Sequence, residues 1–152
     1  MNLPKKILVP VDFSDRSTEA LDYAVDLATT LGAEIVLLHV YEIPAVTYPD
    51  GVLVMTGDIA SRIVGAAEVE LATLAKGHAR GVKMETRLQM GNAWRVITAA
   101  VEETGSNLIV MATSGRSGLP RALFGSVAEK VVRMAMCPVL TLHEHGRGPA
   151  QP

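Results

Sequence analysis

Short apolar runs alternate with longer amphipathic stretches along this chain. Residues 6–11 (KILVPV), 34–40 (EIVLLHV) and 107–111 (NLIVM) have hardly any polar interruption, the pattern of strands covered on both faces. After the first run, Leu21, Ala24, Val25, Ala28 and Leu31 recur at helical spacing, with Ser14 or Asp15 as N-cap and Gly32 as the C-terminal stop. Strand, helix, strand in that order predicts a right-handed parallel crossover. Residues 41–55, with Pro44, Pro49, Asp50 and Gly51, are expected to form a long connection rather than a regular element.

The second half continues the alternation. A helix is predicted over 58–80, with Ile59, Ile63, Ala66, Ala67, Leu71, Leu74, Ala75 and His78 on its apolar stripe. Residues 82–88 alternate apolar and charged positions, which suits a strand at a sheet edge. A third helix spans 93–103 and ends at Gly105. The series Ser126-Val-Ala-Glu129 matches a capping box, so a fourth helix is predicted from Ser126 to about Met136. Residues 138–142 (PVLTL) form the last strand, with Pro138 at its first position, where a missing donor is tolerated. Five strands alternating with four helices give an α/β fold, a doubly wound parallel sheet with helices on both faces.

Composition narrows the class. At 152 residues, 49% hydrophobic and 20% charged, the chain suits one globular domain, taken as residues 1–145 with a polar tail at 146–152. A formal charge of −2 gives no reason to expect a nucleic-acid surface. The apolar run after Lys5 and Lys6 stops at Asp12, so neither a signal peptide nor a membrane span is expected. The single cysteine, Cys137, excludes an internal disulfide and suits a reducing, cytoplasmic setting.

Candidate chemistry gathers in the stretch from Met111 to Ser126, which joins an apolar strand to a helix through small and basic residues. Glycines let backbone N–H groups approach an anion, Arg116 and Arg121 add positive charge, and Ser126 stands where a helix begins, so the stretch suits a phosphate cradle. Asp12 ends the first strand, and ligands of such sheets bind beyond the carboxyl ends of strands where the winding reverses. A carboxylate that accepts hydrogen bonds from ribose or an adenine amine, facing a phosphate cradle, makes an adenosine phosphate the economical ligand. No GxGxxG follows the first strand and no GxxxxGK[ST] occurs, which disfavours a dinucleotide dehydrogenase and a P-loop ATPase. No acid and base pair, paired nucleophile or metal cluster accompanies the cradle, which argues against efficient turnover.

From ILVPVD at the start to CPVLTL at the end, the chain resembles the universal stress protein family. ATP-binding members carry glycine, two residues, glycine, nine residues, glycine and then serine or threonine. Gly115, Gly125 and Ser126 match, and Ala112 replaces the first glycine. An alanine held at positive φ there would cost about 1–2 kcal/mol. The resemblance implies that Asp12 meets ribose or base and that Val11 and Val40 flank adenine. It further implies that Gly115, Arg116, Ser117 and Gly118 hold phosphates together with Gly125, Ser126, Val127 and Ala128; Pro10, Met111 and Ala112 complete the site. It also implies sheet order 3-2-1-4-5 and a homodimer through the edge strand Pro138 to Leu142. The expected ligand is ATP, or ADP or AMP, with Mg²⁺ or Mn²⁺ accompanying the phosphates, in a regulatory protein with a further protein partner. A nucleotide-independent dimeric adaptor and a slow ATPase or phosphotransfer enzyme are the alternatives.

Overall fold

A computed structural model of the chain describes residues 3–43, 46–48, 51–53, 57–114 and 124–143. Its elements are β1 (Lys6–Pro10), α1 (Asp15–Leu31), β2 (Glu34–Tyr41), β3 (Val46–Tyr48), β4 (Gly51–Leu53) and α2 (Gly57–His78). They are followed by β5 (Met84–Met90), α3 (Ala93–Thr104), β6 (Leu108–Ala112), α4 (Ser126–Met134) and β7 (Val139–Leu142). Five parallel strands form one sheet in the order β5-β2-β1-β6-β7, which is the expected order 3-2-1-4-5. The winding reverses between β1 and β6.

Strand alternation sorts the core into two layers. Ile7, Val9, Ile35, Leu37, Leu108 and Val110 face α1 and α2 with Leu21, Val25, Ala28 and Leu71. Leu8, Val36, Leu38, Ile109 and Met111 face α3 and α4 with Ile97, Val101, Ala128 and Val131. Both faces of the central strands are therefore buried, which is why their sequences carry no polar alternation. At the edge, β5 has only intermediate and exposed residues, as its charged alternation required.

Several sequence expectations need correction. The connection after β2 contains an antiparallel hairpin, β3 paired with β4, where an irregular segment was expected. Each strand has three residues, too short for a periodic signal. The second helix ends at His78, because Arg80 and Gly81 take positive φ of 44° and 87° and turn the chain, which delays β5 to Met84. Helix α4 stops at Met134: in a longer helix the ring of Pro138 would clash with that carbonyl four residues back. The expected tail at 146–152 lies outside the described residues.

Candidate functional site

The carboxyl ends of β1, β2 and β6 open into a crevice of about 330 Å³, at the small end of the roughly 300–1,000 Å³ typical of ligand sites. Pro10, Val11 and Asp12 come from β1 and the residues just beyond it, Leu38 and Val40 from β2, and Met111 and Ala112 from β6. Ser17 of α1, Ala93 and Ile97 of α3, and Gly125 with Ser126, Val127 and Ala128 at the start of α4 complete the walls with Thr113 and Ser114. Leu38, Ile97, Met111 and Ala128 also belong to the α3–α4 core layer, so the crevice is the open end of that layer. Its lining is mostly apolar, with Asp12, Ser17, Thr113, Ser114 and Ser126 as the polar members.

The β1–α1 turn holds Asp12 in a fixed frame. Ser14 caps α1, accepting from the Ser17 N–H at 3.2 Å, and its own N–H donates to Asp12 Oδ1 at 3.0 Å. The Ser14 hydroxyl donates to the same carboxylate oxygen, and the Asp12 N–H donates to Ser17 Oγ at 3.3 Å. Between them Phe13 adopts φ 62°, an uncommon conformation for a bulky residue and one that clusters at functional sites. Its ring lies 4.2 Å from that of His39, whose Nδ1 donates to the Val11 carbonyl at 2.8 Å. His39 thus buttresses the turn from the layer opposite the crevice.

On the other side, the chain enters α4 through Gly125. The Gly125 N–H donates to the Thr113 carbonyl at 2.7 Å, and a Cβ at this position would sit 3.0 Å from that oxygen. The close approach favours glycine, because a Cβ would push the Thr113 carbonyl by a few tenths of an ångström; the φ of −61° is open to any residue. Gly125 is the N-cap and Ser126 is the first helical residue, so the expected capping box does not form. Glu129 instead accepts from Arg133 at 3.0 Å, one turn along. The amides of Ser126, Val127 and Ala128 precede the first intrahelical bond, from Glu129 N–H to Gly125 O, and present the positive end of the helix to the crevice.

Ala112, which replaces a family glycine, is the last residue of β6 and pairs with Leu142. Among the described residues only Phe13 and Arg80 are non-glycines with positive φ, so alanine carries no backbone strain at this position. Gly115, Arg116, Ser117 and Gly118 lie outside the described residues. Ser17, Leu38, Ala93, Ile97, Thr113 and Ser114 were not singled out from the sequence, although Thr113 and Ser114 directly follow the strand end that was. Arg16 was also missed; its Nη1 donates to Ser114 Oγ, 98 residues away in the chain.

Burial pushes the Cys137 thiol up, which leaves it a packed thiol against the α3–α4 layer. A hydrogen bond from Lys83 holds Glu34 below the usual carboxylate range, at an exposed site remote from the crevice. Among the described residues no three His, Cys, Asp or Glu side chains come together as a metal site, and no helix is long and apolar enough to cross a membrane.

Comparison with known proteins agrees with this architecture. The model of the universal stress protein family matches residues 4–143. The universal stress protein MJ0531 of Methanocaldococcus jannaschii is 37% identical over 145 residues, covering 93% of this chain and 83% of its own. YxiE of Bacillus subtilis, also a universal stress protein, is 34% identical over 142 residues, covering 89% and 96%. The solved structure of MJ0577 superposes with a TM-score of 0.75 at 25% identity over 91% of this chain and 94% of that one. A universal stress protein in complex with cAMP shares the fold, with a TM-score of 0.68 at 23% identity over 93% and 99%. With a match over nearly its whole length and relatives above 30% identity, the chain belongs to the universal stress protein family.

Proposed function

We propose that this chain is a cytoplasmic regulatory protein that binds an adenine nucleotide, ATP or else ADP or AMP, in the crevice between β1 and β6. The observation that carries the reading is the joining of three features in one cavity: an apolar slot, the Asp12 carboxylate and the amino-terminal end of α4. Adenine fills the slot between Val11 and Val40, Asp12 accepts from the ribose or the base, and the first-turn amides of α4 receive phosphate. Gly115, Arg116, Ser117 and Gly118 add further phosphate donors, and Mg²⁺ or Mn²⁺ travels with the phosphates without dedicated protein ligands. A related fold crystallised with cAMP is a precedent for an adenine nucleotide on this scaffold. Isothermal titration with micromolar to millimolar ATP, with and without Mg²⁺, tests the reading. Saturable heat supports it, and no heat across that range refutes it.

The same reading includes a homodimer formed through β7. This strand ends the sheet, so among the described residues its outer N–H and C=O groups have no neighbouring strand. Val132, Met134 and Met136 nearby are 47%, 52% and 85% exposed. Pairing two copies across a two-fold axis would cover both features. The solution mass should be twice that of the chain; a monomeric mass at working concentration refutes it.

A further inference from the structure

We infer that His39 is a positioning residue that fixes the backbone of Asp12 for the ligand, an inference that rests on the nucleotide reading above. This one imidazole holds both residues that flank Asp12. On the near side, the last ladder pair of β1 and β2 is Pro10 with Leu38. The Val11 N–H still donates to the Leu38 carbonyl at 2.8 Å, but the Val11 carbonyl accepts from His39 Nδ1, also at 2.8 Å. A carbonyl can only accept, so Nδ1 carries the proton. On the far side, the Phe13 ring lies 4.2 Å from the imidazole at an interplanar angle of 32° and packs on the α1–α2 core layer. Phe13 has φ 62°, and a bulky residue keeps that conformation only where its surroundings over-determine it. Rotation of Phe13 to negative φ would turn the peptide that joins it to Asp12, and the hold of His39 on both sides opposes that rotation. Side chains alternate along β2, so His39 faces the α1–α2 layer while its neighbours Leu38 and Val40 line the crevice. The site therefore depends on a side chain that need touch no ligand.

The test is a titration of adenosine and ATP into the full chain and into His39→Asn and His39→Phe, with amide hydrogen exchange at Ser14 followed in each protein without nucleotide. Asparagine keeps a donor at the Nδ1 position without the ring; phenylalanine keeps the ring without the donor. His39→Phe should weaken adenosine and ATP alike by about three- to tenfold, the worth of one neutral hydrogen bond, and His39→Asn should stay within about twofold of the unaltered chain. The Ser14 N–H donates to Asp12 Oδ1, so its exchange should quicken in His39→Phe and change little in His39→Asn. A packing role alone gives the reverse order, because phenylalanine preserves the contact with Phe13 and asparagine does not. His39→Leu, apolar and without a donor, replaces the phenylalanine variant if that one fails to fold. The reverse order, equal effects of the two variants, or a loss confined to ATP overturns the assignment. If the unaltered chain binds neither ligand, the nucleotide reading fails, and the order of Ser14 exchange still decides whether His39 holds the turn.

Discussion

Backbone approach at Gly125 sets the entry to α4, and a single methyl group tests it. The Cβ of Gly125→Ala would press on the Thr113 carbonyl, and a backbone atom cannot swing aside as a flexible side chain does. Overpacking of this kind costs about 1–3 kcal/mol, so the thermal midpoint should fall by a few degrees, and ATP affinity with it. An unchanged Tm by scanning calorimetry would contradict the geometry. Ser126→Ala makes the opposite forecast. Loss of a capping serine would cost about 1 kcal/mol, but Ser126 lies inside the helix, so stability without nucleotide should change by less than about 0.5 kcal/mol. Cys137 gives a pH test. Its folded thiol titrates above the ordinary range because burial disfavours the thiolate. Stability therefore falls as pH rises from the unfolded thiol's value to the raised folded one, and is unaffected by this group below it. Alkylation by iodoacetamide at mildly alkaline pH should be slower in the folded chain than in urea; equal rates would contradict this.

At the level of elements, the β1–α1 turn couples helix stability to the site. Ser14→Ala removes both the α1 cap and a donor to Asp12, so it should cost about 1 kcal/mol and weaken nucleotide binding together. Calorimetry and titration on one variant check the pair of effects; a loss of stability with unchanged affinity would uncouple them. The strands and helices that position this turn were legible because burial on both faces leaves an unbroken apolar run, as in residues 34–40. The β3–β4 hairpin was not, since three-residue strands among Pro49, Asp50 and Gly51 present turn chemistry without periodicity. The Ser126 to Glu129 spacing suggested a box, but the contact between Gly125 and Thr113 moved the cap one residue earlier, a tertiary constraint that a four-residue motif cannot express.

Across the whole molecule, the crevice exists because the winding reverses between β1 and β6, bringing together residues far apart in the chain. Asp12, Val40 and Ser126 were legible as strand ends and a helix start. The contact between Arg16 and Ser114, by contrast, spans 98 residues and leaves no local pattern. As proposed above, adenine nucleotide occupies this crevice and no other surface. Amide ¹H–¹⁵N spectra recorded during an ATP titration test it most directly. Saturable shifts should concentrate at Asp12, Val40, Ala112 and Gly125 to Ala128. Absence of shifts, or shifts confined to the groove between β5 and α3 around Met90 and Arg95, would contradict it.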